Sequence, residues 1–330
     1  MSNVPALRFS DFKESWRTAT LSNLSREKFA NGVFNDPKKV GRGYHLINVK
    51  DMFEGNSINV EKLSLLELEE KEFIKNQVRY GDIFFTRSSL VAEGIAVSNV
   101  FLNNQNNVTY DGHLVRMRPD LKKLDPSFLS AALKTSKLRK QLIVRGKTTT
   151  MTTIGQEDIS SVELDFPSQP EQQKIAAFLT AVDTKIEQLT KKEQLLQHYK
   201  KGVMQKIFSQ DIRFKADDGS EFPKWEMKLL GKVFNNRKEI NHPDMELLSV
   251  TMQEGVKRRS EIAGKDNSSQ DKSKYFRVLE GDIVYNSMRM WQGASGVSLF
   301  NGIVSPAYTV LQCRDNVSPE FFGYFFKTKK

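Results

Sequence analysis

The sequence predicts an α+β protein in which two repeated α/β globular domains are separated by a long coiled-coil spacer helix. Three observations carry this expectation. Sequence anchors recur in the same order about 200 residues apart. An apolar heptad seam runs between the two copies. Short segments rich in β-branched and aromatic residues alternate with capped helical faces.

The repeat is read first. Ala6-Leu7-Arg8-Phe9, followed by Trp16 and Leu21-Ser22-Asn23-Leu24, returns as Asp211-Ile212-Arg213-Phe214, followed by Trp225 and Leu229-Leu230-Gly231-Lys232-Val233. Arg79-Tyr80-Gly81-Asp82-Ile83-Phe84-Phe85 returns as Leu279-Glu280-Gly281-Asp282-Ile283-Val284-Tyr285. Leu124-Asp125-Pro126-Ser127-Phe128-Leu129 returns as Val317-Ser318-Pro319-Glu320-Phe321-Phe322. A period this long is no solenoid, so the repeating unit is a whole domain. After Lys134-Thr135 the first copy runs on for about 75 residues to Ser209, whereas the second stops at Lys327-Thr328-Lys329-Lys330. The expected organisation is a first domain over residues 1–165, a spacer helix over 166–209, and an incomplete second domain over 210–330 with no spacer helix of its own.

Within each copy the strand signals are Ile83–Thr86, residues 95–100, residues 114–118, Ile283–Asn286 and residues 308–312. Pro126 and Pro319 suit the first turn of a helix, with Asp125 and Ser318 as caps. Phe128, Leu129, Ala132 and Leu133 then mark an apolar helical face. Residues 103–107 and 264–273 read as loops.

From Glu171 to Phe208 there is no proline, and the single glycine is Gly202. Ile175, Leu179, Val182, Ile186, Leu189, Leu196, Val203 and Ile207 fall at alternating steps of four and three, with Glu193 and Lys200 filling two seam positions. Such a helix is about 57 Å long and cannot bury its own stripe. It therefore calls for a partner helix or a groove. Two globular copies on a stiff rod make a ruler.

Composition and missing motifs narrow the function. The 330 residues carry a formal net charge of +10, which favours polyanionic partners only weakly. The 22 phenylalanines argue for packed cores. The longest apolar stretch, around residues 176–179, falls far short of the ~20 residues that span a bilayer. No cleavable amino-terminal signal is legible. One cysteine, Cys313, excludes an internal disulfide and sits in a strand-like run as an apolar core residue. A soluble protein of a reducing compartment is expected.

No Gly-x-Gly-x-x-Gly opens a helix, and Gly146-Lys147-Thr148 lacks the leading glycine of a phosphate loop, position 141 being Gln141. Asn35-Asp36-Pro37-Lys38 lacks the second proline and the aromatic of an amino-methyltransferase tetrapeptide. His45, His113, His198 and His242 show no metal-ligand spacing. No catalytic residue, metal or cofactor is expected.

One stretch is distinctive. It begins Gly146-Lys147-Thr148, continues through Ile154, Asp158-Ile159, Val162 and Leu164, and leads into Pro167-Ser168-Gln169-Pro170-Glu171-Gln172-Gln173-Lys174-Ile175-Ala176. Leu179, Val182-Asp183 and Ile186 complete it. It resembles the junction between recognition domain and spacer helix in the specificity subunit of type I restriction–modification enzymes. Leu7-Arg8-Phe9 with Trp16, and Ile212-Arg213-Phe214 with Trp225, also resemble that family, so the likeness spans essentially the whole chain.

The resemblance implies that each copy is a target recognition domain reading one half of a split double-stranded DNA sequence. It implies two helices pairing antiparallel, setting the gap between half-sites and docking methyltransferase (modification) subunits. ATP-dependent restriction subunits join through the complex, and the specificity subunit performs no chemistry. It places the protein in the cytoplasm of a bacterium or archaeon, away from membranes. With no second helix in the sequence, the seam is free to pair with the same helix of a second copy. Two alternatives stand beside this reading: a coiled-coil scaffold without specific DNA binding, and a stand-alone DNA-modifying enzyme, which the absent motifs oppose.

Residues that would meet DNA are donors and acceptors on short loops. Arg87 with Ser88 and Ser89 follows the first Gly-Asp turn. Asn286, Ser287, Arg289, Trp291 and Gln292 follow the second, Arg289 matching Arg87 if a two-residue insertion is allowed. Arg145, Lys147, Thr148, Thr149 and Thr150 surround Gly146 as a phosphate clamp. Lys257, Arg258 and Arg259 form a charged run that suits a solvated face or phosphates. Arg42, Tyr44 and His45 form a further cluster. Asp82 and Asp282 are turn-formers.

Overall fold

The computed structural model describes residues 7–252, 254–266 and 268–328; Ala6, Lys329 and Lys330 lie outside the described residues. The chain divides into two compact units, Met1–Gln188 and Leu189–Lys330. The dividing line falls inside the long helix, so each unit takes half of the segment that the sequence sets apart as a spacer.

The first unit runs β1 (Arg17–Thr20), β2 (Ala30–Asn31), β3 (Val40–Ile47), β4 (Ser64–Leu66), α1 (Glu70–Asn76), β5 (Ile83–Thr86), β6 (Ser88–Ser89), β7 (Ser98–Val100), β8 (Val108–Tyr110) and β9 (Leu114–Met117). Helices α2 (Pro126–Leu133) and α3 (Ser136–Arg145) follow. Then come β10 (Lys147–Thr148), β11 (Thr152–Thr153), α4 (Gln156–Ser160), β12 (Glu163–Phe166) and α5 (Gln169–Phe208). Its central sheet has the order β2-β9-β5-β7, all antiparallel.

β5 reads Ile-Phe-Phe-Thr and is buried throughout, because both of its faces are covered. Ile83 and Phe85 join Leu129, Leu133, Leu138, Leu142, Ile159 and Leu164 in one core. Phe84 joins Ile47, Phe101, Tyr110 and Leu114 in the other. The turn chemistry follows expectation at α2, where Pro126 takes the first turn and the Asp125 carboxylate accepts the Phe128 N–H at 2.9 Å.

The second unit contains α6 (Leu230–Val233), β13 (Phe234–Asn236), β14 (Leu248–Thr251), β15 (Gly255–Arg258), β16 (Phe276–Val278), β17 (Ile283–Asn286), β18 (Ser295–Val297), β19 (Gly302–Val304), β20 (Tyr308–Cys313) and α7 (Pro319–Phe325). Its central sheet has the order β13-β20-β17-β18. That is the order of the first unit's sheet with each strand replaced by its repeat. The registers match as well: Ile83 faces Met117 and Val100, while Ile283 faces Leu311 and Val297. The Ser318 hydroxyl caps α7 by accepting the Phe321 N–H, with Pro319 in its first turn.

The predicted strands appear with small shifts. Strand pairing in the 95–100 segment begins only at Ser98, because Ala96 leaves the extended conformation with φ +49°. Cys313 is half-buried rather than fully enclosed, and burial pushes its thiol up from the usual range.

The pairing of the first unit's opening and closing strands has no counterpart among the described residues of the second unit. β1 pairs antiparallel with β12, Arg17 facing Phe166 and Thr20 facing Glu163. In the second unit, residues 222–229, which follow the repeat of Arg8-Phe9, form no strand.

Candidate nucleic-acid interface

Each copy builds its turn around glycine and a buried aspartate. Gly81 and Gly281 hold φ of +89° and +86°, a region that glycine enters without a Cβ clash. The Asp82 carboxylate accepts the Arg79 N–H at 2.9 Å, and that of Asp282 accepts the Leu279 N–H at 2.8 Å. An arginine closes each carboxylate. Arg118 donates Nε and Nη2 to Asp82 at 2.9 Å, whereas Arg237 donates Nε to Asp282 at 2.8 Å. Arg118 follows β9 but Arg237 follows β13, so one electrostatic role is filled from opposite sides of the repeat. Burial alone would depress both guanidiniums, but the aspartates, with Glu27 and Glu239, outweigh it and raise them. Both aspartates are turn-formers, as the sequence indicated.

Beyond Thr86 the first copy assembles what the sequence left apart. β6 pairs with β11 and β11 with β10, giving a three-stranded sheet. Ser88 and Ser89 face Thr153 and Thr152, and Lys147 faces Thr153 on the other side. Arg87, Ser88 and Ser89 are thereby joined to Lys147 and Thr148, 60 residues away in sequence. Arg87 is exposed, and its guanidinium makes no ion pair among the described residues. Lys147 is exposed with Asp158 at 3.8 Å.

The hydroxyls are partly committed: Thr148 bonds Thr152 at 2.9 Å, and Ser89 accepts the Val91 N–H at 3.2 Å. Thr149 and Thr150 form the exposed turn of the hairpin. Gly146 is required for closeness, since a Cβ there would stand 2.9 Å from Thr152 Cγ2. Arg145, expected in the clamp, is tied back to Ser161 Oγ and the Gln141 carbonyl at 3.0 Å each. It fixes the end of α3, so Lys147 is the more freely exposed cation of this hairpin.

Two residues that sequence reasoning passed over shape this surface. His113 is exposed, its Nδ1 2.7 Å from Asp111, and its carbonyl accepts the Arg87 N–H. Arg139 reaches from α3 to the carbonyls of Glu93, Ile95 and Ala96 at 2.9, 2.6 and 2.6 Å, and burial lowers its guanidinium. The Arg139 carbonyls and the Arg87 N–H arrive through tertiary contact, which leaves no sequence signal, whereas the Asp111 partner of His113 is only two residues away.

The Arg42 cluster lies on another sheet, β4-β3-β8. Arg42 is paired with Glu67 at 2.6 Å, and Tyr44 stacks on Phe73 at 3.7 Å between centroids. His45 Nδ1 is buried with no hydrogen-bond partner among the described residues. Arg42 and Tyr44 are thus engaged within the domain.

In the second copy, Trp291 is 82% exposed and Met288 72% exposed on the turn that also carries Arg289 and Gln292. Asn286 Oδ1 accepts the Met288 N–H at 3.0 Å, and Ser287 Oγ lies 3.2 Å from Thr309 Oγ1. The register corrects the expected match of Arg87 with Arg289. Thr86 faces Leu114 as Asn286 faces Tyr308, so Ser287 is the counterpart of Arg87. The loop that follows is also three residues shorter in the second copy, running over 287–293 against 87–96. Arg289 exposes its cation from a different point of that loop.

The 257–259 run is not a uniform solvated face. Lys257 lies 3.5 Å from Glu254, and Arg258 pairs with Glu246 while stacking over Phe300. Arg259 folds inward onto the carbonyls of Ile262, Gly264 and Lys265.

The seam of α5 is exposed along its middle: Leu179, Val182, Ile186, Leu189 and Leu196 all face solvent within the chain. Its ends are not. Ile175 is half-buried beside Glu171 and Gln172, which lock the first turn. Glu171 accepts Arg8 Nε and Nη2 at 2.7 Å and Trp16 Nε1 at 3.3 Å. Gln172 accepts the Asp125 N–H and donates to the Lys123 and Pro167 carbonyls. In the second unit Val203 and Ile207 are half-buried in a groove shared with Phe321 and Tyr324. Phe208 packs there on Trp225, Phe321 and Phe325. Those two seam positions are therefore partly covered by the chain itself.

Among the described residues no helix is long and apolar enough to cross a membrane, and no cluster of His, Cys, Asp or Glu could hold a metal ion.

Comparisons with known proteins bear on the family and the fold. The family model described as type I restriction modification DNA specificity domain matches residues 31–197. A curated protein of Methanocaldococcus jannaschii, described as a type I restriction enzyme MjaX specificity subunit, is 23% identical over 236 residues, covering 69% of this chain and 55% of its own length. The chain thus spans about half of that relative. The crystal structure of the HsdS subunit from Thermoanaerobacter tengcongensis matches 94% of the chain and 78% of its own, with TM-score 0.50 and 13% identity. The type I restriction–modification S subunit from M. genitalium matches 95% of the chain and 76% of its own, with TM-score 0.52 and 14% identity. The fold is that of these subunits, and with half of its length matched by the family model this chain belongs to the type I restriction modification DNA specificity family.

Proposed function

We propose that this chain is the sequence-specific DNA-recognition subunit of a type I restriction–modification complex and carries no catalysis of its own. Each recognition domain reads one half of a bipartite target, and α5 sets the gap and docks the methyltransferase subunits. The modules are residues 1–165, 166–209 and 210–330. Restriction subunits join through the complex, and a second copy is a candidate mate for the exposed seam of α5. The work is done on cellular DNA, in the cytoplasm.

One observation carries the reading. The same four-stranded sheet occurs twice, and in each copy the strand after the Gly-Asp turn launches a loop with an exposed arginine that makes no ion pair among the described residues: Arg87 in the first and Arg289 in the second. In the first copy that loop pairs with β11, whose other edge carries Lys147 and Thr148, and this supports a reading in which Arg87 reads a guanine edge while Lys147 holds a phosphate.

The test is methylation mapping of DNA from cells that carry the chain with its methyltransferase partner. A split motif with two unlike halves is the expected result. No selective methylation, or a palindrome read by one domain used twice, would overturn it. Filter binding at two salt concentrations separates the scaffold alternative, because phosphate contacts impose a steep salt dependence and a scaffold has none.

A further inference from the structure

The loop between β5 and β7 carries Arg87, Ser88 and Ser89, and its backbone holds an uncommon conformation. Ala96 is fully buried with φ +49°, in the left-handed region that residues with a Cβ rarely adopt. The second copy shows what ordinarily fills this place. Phe85 faces Ser98 as Tyr285 faces Ser295, so the residue two positions before each strand is Ala96 in one copy and Gly293 in the other. Gly293 has φ +78° and needs no support.

Arg139 supplies the support that the first copy lacks in sequence. Its guanidinium gathers three consecutive-turn carbonyls, those of Glu93, Ile95 and Ala96. Among the described residues of the second copy, no side chain donates to a carbonyl of residues 287–293. The loop is also packed tightly on its functional side, since a Cβ at Gly94 would stand 2.3 Å from Ser89 Oγ. A shift at residues 93–96 would therefore be felt at Ser89.

We infer that Arg139 is a positioning residue for base recognition, holding the Ala96 bend so that Arg87, Ser88 and Ser89 meet the first half-site in one fixed arrangement. The inference rests on the DNA-reading function proposed above. It differs from a merely stabilising role, because it makes Arg139 matter to one half of the motif and makes its loss repairable at Ala96. Removing the Ala96 methyl lets the backbone hold the bend unaided.

The experiment uses the full chain with its methyltransferase subunits, a randomised duplex pool as probe, and the variants Arg139→Met, Ala96→Gly and the double variant. In the wild type, both halves of the selected motif are sharp. Arg139→Met is expected to weaken base preference in one half by about tenfold, leaving the other half and low-salt retention unchanged. Adding Ala96→Gly is expected to restore it. Without DNA, amide exchange at Ala96 and Val97 is expected to quicken in Arg139→Met and slow again in the double variant. Should Arg139→Met fold poorly, Ala96→Val in the wild-type background is expected to blur the same half.

An unchanged motif in Arg139→Met, equal loss in both halves, or no restoration by Ala96→Gly overturns the inference alone. A wild-type complex that selects no motif overturns the DNA reading and this inference with it.

Discussion

In the first copy Arg8 reaches a buried glutamate on the long helix, and the strand after Trp16 is zipped to Glu163–Phe166. In the second, the matching Arg213 donates to the carbonyls of Phe222 and Pro223, and Trp225 packs on Phe321 of α7 and Phe208 of α5. Yet both copies hold the same four-stranded sheet in the same register with the same buried aspartate. The sheet and its Gly-Asp turn are thus a self-consistent kernel, and the closing strand and anchored helix are additions to it. The additions can differ because the kernel's polar demands are met internally: each aspartate has its own arginine, drawn from whichever strand end is near.

The largest expected effect tests the kernel. Asp82→Ala leaves Arg118 buried without its main partner and should cost the first unit about 3–5 kcal/mol. Asp282→Ala should do the same to the second unit, and denaturant melts that resolve the two units would show it. An equal loss in both units from either variant would break the comparison.

Next come the readers. Arg87→Ala and Arg289→Ala should each remove about 1–3 kcal/mol of discrimination from a different half of the target. Motif selection checks it; both variants blurring the same half would be the contrary result.

A smaller contrast lies at the glycines. Gly81→Ala and Gly281→Ala both meet an unfavourable φ, worth about 1–2 kcal/mol. A Cβ at Gly81 would also stand 2.9 Å from Leu121 Cδ2, whereas nothing lies within 4 Å at Gly281. Gly81→Ala should therefore be the more destabilising of the two in thermal melts.

The smallest effect belongs to the strand pairing found in the first copy. Burial pushes the Asp165 carboxyl up, but Lys137 and Thr18 outweigh it and hold it below the usual range. A carboxyl depressed on folding stabilises at neutral pH and loses that contribution as pH falls below about 4. Asp165→Asn should flatten the acid limb of the first unit's stability curve by less than about 1 kcal/mol, as the group is near the surface.

The sequence made the kernel legible because its determinants are local: a glycine at a positive φ, an aspartate reaching back three residues, a proline in the first turn of a capped helix. The α5 seam was legible by period, although the half-buried Val203 and Ile207 depend on α7 arriving from far along the chain. The interface was legible in its parts and not in its assembly. Arg87 and Lys147 meet through hairpin pairing across 60 residues, and whether Arg145 or Arg259 points outward depends on carbonyls that tertiary folding delivers. Counting cations could not separate those that are free from those already spoken for.

Each aspartate–arginine closure lies wholly inside its own unit. A lesion at one closure leaves its unmatched charge within that unit, and losses at the two closures are expected to add. One molecule then contains its own control, with the untouched half serving as the yardstick against which damage to its twin is measured.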